Sequence, residues 1–424
     1  MKKEYIKNII FDQKEELVTK LKKTEVIERA GLDTCSGYIK YPNVLLITGL
    51  RRVGKSVFSN LLVKNKKYVF LNFDDERLID FQTQDFSLVL ECFYELYNDF
   101  DYILFDEIQN IRGWELFINR LREKYKIIIT GSNANLLSKE LATHLTGRFI
   151  DFALFPMSFK EFLTFNHISI KENDIYSTKK KSQIHLLFNN YITNSGIFEY
   201  YKLGKEFLRN LWSVVITKDI VARYNVKYPR VLEELSVLLV NSFASKISFS
   251  KLSRHFKIKS YHTINEYMRY LENSFLIFTV NKFSYKIKEQ LSAFKKVYII
   301  DQGFINALSF NFSENKGKLL ENIVAVELKR RSYRENFSIY YWDNYNVECD
   351  FIIKQGLKIT STYQVCSELN LNNRKREING LVNAMKEFNL KEGYILTEST
   401  EEEIRVNGFK IFVMPVWKWI AKDI

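Results

Sequence analysis

The chain has 424 residues, too many for one ordinary core, and its 46% hydrophobic and 27% charged residues exclude global disorder, so roughly two to four domains are expected. Its 63 Lys and Arg against 50 Asp and Glu leave a net charge of +13, which favours a polyanionic partner without naming one. Four scattered cysteines, Cys35, Cys92, Cys349 and Cys366, make no CxxC or Cys/His spacing; this argues against a zinc module or a disulfide framework and for a reducing cytoplasm.

Residues 1–35 predict a helical segment, and MKKEYIKNIIFDQKEE has no apolar stretch of signal-peptide length, so neither export nor a membrane partner is expected. The run Val44, Leu45, Leu46, Ile47 and Thr48 reads as a parallel strand covered on both faces. It enters GLRRVGKS at residues 49–56, and SVFSNLLVKN leaves as a helix with Val57, Leu61 and Leu62 on one face. Strand, glycine loop and helix are the context in which G-x-x-x-x-G-K-[ST] cradles phosphate. Gly49 and Gly54 let the backbone curl until its N–H groups and the helix N-terminus face phosphate oxygens. Gly49, Arg52, Val53, Gly54, Lys55, Ser56 and Val57 are the expected nucleotide-binding residues, with Lys55 on the β- and γ-phosphates and Ser56 on Mg²⁺.

A second strand, Tyr102 to Phe105, runs into Asp106 and Glu107. Asp106 suits organisation of the Mg²⁺ shell, and Glu107 suits orientation or deprotonation of the attacking water. A third strand, Lys126 to Ile129, ends at Thr130-Gly131-Ser132-Asn133; ligands of open parallel sheets sit at such ends, so Ser132 and Asn133 are expected at the γ-phosphate, with Asn133 the better candidate. This end resembles the polar sensor of AAA-type ATPases. Arg148, before the strand Phe149 to Leu154, resembles the finger that such ATPases direct at a neighbouring subunit's γ-phosphate, which implies a homo-oligomer; the other reading is an ion pair with Asp151.

Residues 156–228 predict a helical lid broken by a solvated loop at Lys179-Lys180-Lys181. Residues 229–290 have the outline of a winged helix, short helix, turn, longer helix, then hairpin. His262, Asn265 and Arg269 fall on its recognition helix and Lys282, Lys286 and Lys288 in its wing, a pattern suited to double-stranded DNA or to protein contacts. Residues 291–424 read as α/β, and Glu321, Asp350 and Gln364 follow the order of a restriction-endonuclease metal site. Cys366 stands where that chemistry wants a lysine, so the site reads as inactive unless a lysine such as Lys358 has migrated into it.

Taken together, GLRRVGKS, the strand into Asp106-Glu107, TGSN, LTGRF with FPMSFKEF, SGIFEYY, KDIVARY, DQGF, GKLLENIVAVEL, ECDF and MPVWKWI resemble the AAA-type ATPases of bacteria and archaea with an appended C-terminal domain of unknown function. The resemblance implies an α/β fold: a P-loop parallel sheet with a helical lid, a winged helix, and a C-terminal α/β restriction-endonuclease-like domain. It also implies ATP and Mg²⁺ as cofactors, and adenine over guanine. Two departures stand out: SGIFEYY lacks the family's Gly-Gly-Phe-Pro-Glu string, and Cys366 replaces its lysine. The expected function is a Mg²⁺-dependent ATPase whose nucleotide state moves the other modules; the alternatives are a slow regulatory switch and an ATP-controlled nuclease.

Overall fold

The computed structural model describes residues 1–23, 27–133, 147–169, 177–309, 316–344 and 347–421, which fall into two compact units, Met1–Phe155 and Pro156–Ile424. In the first unit β1 (Val44–Gly49), β2 (Tyr68–Asn72), β3 (Tyr102–Asp106), β4 (Lys126–Gly131) and β5 (Phe149–Leu154) form a parallel sheet. The order is β2-β3-β4-β1-β5. VLLITG is buried at every position, which is why β1 reads as an unbroken apolar run and not as an alternating one. The register, Leu45 opposite Ile128 and Asn72 opposite Asp106, brings the carboxyl ends of β1, β3 and β4 to one edge of the sheet.

Helices provide the crossovers that parallel strands require. Helix α1 (Lys3–Lys23) carries Ile6, Ile9 and Ile10 at helical spacing into the same apolar cluster as Val69, Leu71, Val89, Phe93 and Phe105. The N-terminal segment is therefore part of this core. Helix α2 (Leu32–Tyr38) precedes β1, α3 (Lys55–Val63) follows it, and Phe58 of α3 stacks on Phe152 of β5 with centroids 5.4 Å apart.

The second unit contains β6 (Ser245–Ile247), β7 (Ile277–Lys282), β8 (Lys295–Ile299), β9 (Ser338–Asn344), β10 (Val347–Gln355), β11 (Lys358–Val365), β12 (Glu392–Thr397), β13 (Glu402–Val406) and β14 (Phe409–Pro415). They form one mixed sheet in the order β13-β14-β12-β11-β10-β9-β7-β8-β6. The segment read as a lid lies in this unit, as the helices Phe159–Phe165, Thr178–Thr193 and Tyr200–Val214 with a wide-turned continuation over Val215–Ala222. The three consecutive lysines are not a loop: Ser177 caps the helix by accepting from the Lys180 amide, and the lysines lie exposed on its first turns.

Two motifs quoted separately from the sequence meet here. Asp301 of DQGF accepts from Ser195 Oγ at 2.7 Å, from the Gly196 amide at 2.7 Å and from the Gly303 amide at 2.9 Å, so SGIF and DQGF are clamped by one carboxylate. A Cβ on Gly303 would lie 2.5 Å from Ser195 Cβ, which explains the glycine by close approach.

The helix Pro229–Asn241, β6, the helices Phe249–His255 and Tyr261–Asn273, β7 and β8 follow one another in that order. The expected hairpin is longer than foreseen, because the short helix Ile287–Ser292 intervenes between β7 and β8. Strand β8, read as the start of the C-terminal domain, pairs antiparallel with both β6 and β7. β7 in turn runs parallel to β9, Asn281 opposite Tyr340. Beyond it, β9, β10 and β11 are an antiparallel meander, and β12 and β14 add in parallel. The edge strand β13 was not anticipated; its half-exposed EEIRV carries no buried face from which to read it.

Candidate functional site

The phosphate loop depends on backbone conformations that side chains disfavour. Gly49 has φ +150°, and a Cβ there would come within 2.3 Å of the Leu154 carbonyl oxygen, so only glycine lets the chain leave β1 beside β5. Gly54 is left-handed at φ 96° directly before α3, and Arg52 is left-handed at φ 68°. Arg29 braces this turn from upstream: buried, it donates from Nη1 to the Val53 carbonyl at 3.0 Å and from Nη2 to the Phe155 carbonyl at 2.6 Å. Sequence reasoning missed Arg29 because no motif links residues 24 positions apart.

Lys55 begins α3 and is buried. Its Nζ donates to the carbonyls of Gly49 and Leu50, 3.1 Å each, and lies 3.6 Å from Glu107 Oε1. Ser56 Oγ donates to Asp106 Oδ2 at 2.5 Å, and Thr130 Oγ1 donates to Asp106 Oδ1. Burial pushes the Asp106 carboxyl above its ordinary range and the neighbouring Glu107 charge adds to this, while the two hydroxyls and the Lys55 ammonium oppose it. A hydroxyl and a carboxylate converging at the edge of a phosphate loop are hard oxygen donors of the kind Mg²⁺ takes, so the residues fit that ion. Thr130 was quoted in the sequence only as the start of TGSN; it reaches Asp106 because β3 and β4 are neighbours.

Glu107, left-handed at φ 52°, accepts from Gln109 Nε2 at 2.5 Å and from the Ser132 amide and hydroxyl at 3.4 Å. Asn133 is fully buried just past β4, on the same edge. Val57 lies in the first turn of α3. Arg148 is elsewhere: it is exposed, and its carbonyl accepts from the Val44 amide at the amino end of β1, the opposite edge of the sheet. A strand of this length spans roughly 17 Å. Asp151 accepts from Thr48 Oγ1 at 3.0 Å, and burial pushes its carboxyl up to about 6.

In the second unit, His262, Asn265 and Arg269 share the exposed face of the helix Tyr261–Asn273, opposite buried Ile264, Tyr267, Met268 and Leu271. Lys286 and Lys288 are exposed, whereas Lys282 is bound to Asp343 on β9. Glu321 and Asp350 come together, but around Lys296 of β8, and Gln364 hydrogen-bonds the Asp350 amide. Lys358 opens β11 opposite Gln355, at the far end from Val365 and Asp350, so it is not the migrated lysine.

The parallel order, the glycine loop and the strand-end carboxylates define an AAA-type P-loop domain, and residues 41–163 match the family described as AAA domain. Residues 197–315 and 316–419 each match a domain of unknown function, DUF8612 and DUF4143. An uncharacterized protein of Methanocaldococcus jannaschii is 36% identical over 401 residues, covering 89% of this chain and 88% of its own. An uncharacterized protein of Haemophilus influenzae is 28% identical over 402 residues, covering 88% and 94%. The chain belongs to the archaeal and bacterial family of AAA-type proteins with a C-terminal domain of unknown function. Among solved structures it is similar to the Walker-type ATPase PABY2304 of Pyrococcus abyssi, at 16% identity over 67% of this chain and 96% of that one, TM-score 0.40. It is also similar to Cdc6p of Pyrobaculum aerophilum, at 12% identity over 72% and 97%, TM-score 0.25. No helix among the described residues is long and apolar enough to cross a membrane.

Proposed function

We propose that the chain is a cytoplasmic Mg²⁺-dependent ATPase whose nucleotide state drives its C-terminal modules. The observation that carries this reading is the contact of Ser56 Oγ with Asp106 Oδ2 at 2.5 Å, with Lys55 and Glu107 beside it. Lys55 would exchange the Gly49 and Leu50 carbonyls for β- and γ-phosphate oxygens, with the amides of Arg52, Val53, Gly54 and Val57 lining the cup. Ser56 and Asp106 would hold Mg²⁺, which when bound neutralises charge on the phosphates. Glu107 would orient the attacking water, and Asn133 would sense the γ-phosphate.

The order of elements from Pro229 to β8, with β8 between β6 and β7, supports a winged helix whose exposed His262, Asn265 and Arg269 meet double-stranded DNA. A second reading, a slow nucleotide-gated switch that recruits a protein partner, rests on Glu107: Gln109, Ser132 and Lys55 already surround its carboxylate, so it must be released before it can orient water.

Steady-state ATP hydrolysis by wild type and Glu107→Gln, with and without double-stranded DNA, tests both. The ATPase reading expects DNA to accelerate the wild type and the variant to lose about 100-fold or more in turnover while still binding ATP. Slow, DNA-indifferent turnover with intact ATP binding selects the switch. Retention of ATP affinity by Lys55→Ala would sink both.

A further inference from the structure

The order Glu321, Asp350, Gln364 is that of a divalent-cation site, yet the point where the carboxylates converge is filled by a lysine from another strand. Lys296, on β8 and almost wholly buried, donates from Nζ to Glu321 Oε1 at 2.9 Å and to Asp350 Oδ1 at 2.9 Å, and stands 2.7 Å from Glu348 Oε1. Two of the three N–H donors of the ammonium are thus committed to Glu321 and Asp350, and Glu348 adds a third negative charge beside it. Tyr298, on the same strand, donates its hydroxyl to Glu321 Oε1 at 2.8 Å. The other Asp350 oxygen accepts from the Val365 amide at 3.0 Å. Gln364 commits its carboxamide to the Asp350 amide at 3.3 Å and to Glu377 Oε2 at 2.7 Å. Farther out, Lys246 bridges Glu348 at 2.8 Å and Asp343 at 2.6 Å.

These residues do not fit the Mg²⁺ that an endonuclease-like site implies. The ion needs oxygens at about 2.0–2.1 Å in octahedral array, and Nζ already occupies their meeting point. Gln364 is neutral where a ligand should be charged, and burial pushes the Cys366 thiol up to about 12, so position 366 offers neither a fixed positive charge nor a thiolate. Among the described residues no three His, Cys, Asp or Glu side chains are disposed to hold a metal.

We infer that the Lys296 ammonium is the resident cation of this site: it stands in place of a divalent ion, leaves the C-terminal domain without cleavage chemistry, and ties β8 to β10 and to the helix Lys316–Glu335. Burial works against the Lys296 charge, but Asp350 and Glu321 outweigh it, so the group keeps its proton and cannot serve as a base. The carboxylates are held together because the ammonium is there, as a metal would hold them.

Mn²⁺ titration of the nucleotide-free full-length protein, followed by electron paramagnetic resonance, tests this. Wild type and Asp350→Asn should bind Mn²⁺ alike, whereas Lys296→Met should gain one bound equivalent that is lost again in Lys296→Met/Asp350→Asn. A wild-type site that vanishes in Asp350→Asn, or metal-dependent plasmid nicking lost in Asp350→Ala, would overturn the inference, as would a folded Lys296→Met that gains nothing. If Lys296→Met does not fold, amine labelling of the native protein decides: Lys296 should react about 10-fold or more slowly than exposed Lys288, with or without millimolar Mn²⁺. Faster labelling of Lys296 in Mn²⁺ would mean that metal displaces it and that the assignment is wrong.

Discussion

At the scale of single residues, Thr130 and Asp151 show how the P-loop unit controls its carboxylates. Thr130→Val removes one of the two hydroxyls on Asp106 and leaves a buried carboxylate harder to ionise. It should raise the Mg²⁺ concentration needed for half-maximal ATPase activity about 10-fold, with Thr130→Ser close to wild type. A role in packing alone would not move the metal requirement. Asp151 titrates in the opposite sense to a salt-bridged acid: its pKa rises from 3.8 to about 6 on folding. Its contribution is therefore fully present below pH 3.8 and is lost as pH rises through about 6. The loss is at most about 3 kcal/mol. Asp151→Asn should raise the midpoint of urea unfolding at neutral pH and leave it unchanged near pH 4, a difference that flattening of the pH profile would display.

At the scale of elements, the clamp between SGIF and DQGF decides whether the helices after Pro156 stay seated within their unit. Gly303→Ala would force a Cβ to within 2.5 Å of Ser195 Cβ and 2.7 Å of Asp301 Oδ1. Chemical denaturation should show a loss of about 2–3 kcal/mol. Gly317→Ala, whose nearest neighbour would be 3.8 Å away, should cost nothing by the same assay. The sequence named both motifs without revealing that they touch, since 105 residues separate the Gly196 amide from the Asp301 carboxylate that holds it. The phosphate loop, by contrast, was legible because its parts are contiguous: strand, glycines, lysine and serine lie within thirteen positions, Val44 to Ser56. Lys296 was invisible for the opposite reason. Its partner Asp350 is 54 residues away, and a lysine in an apolar strand announces only an exposed side chain.

At the scale of the whole molecule, the reading of Arg148 as a finger makes a prediction about assembly. Its position at the amino end of β5 sets it a strand's length from the loop of its own chain, so as a finger it must serve another copy. Arg148→Ala and Lys55→Ala chains, each inactive alone, should recover part of the wild-type turnover when mixed, because each supplies what the other lacks. Wild-type turnover in Arg148→Ala alone would remove the finger from the mechanism and leave oligomerisation without this support.

The hydrogen bonding of β7 to β9 has a consequence for taking the protein apart. The segment read as a winged helix and the C-terminal meander look like separable cassettes in the sequence, but their strands belong to one continuous ladder. Severing the chain near residue 290 would strip β8 from β7 and expose unpaired edges on both pieces, the condition that drives strands to find partners in other molecules. A fragment that keeps this ladder whole should instead begin near Pro156 and run onward without interruption.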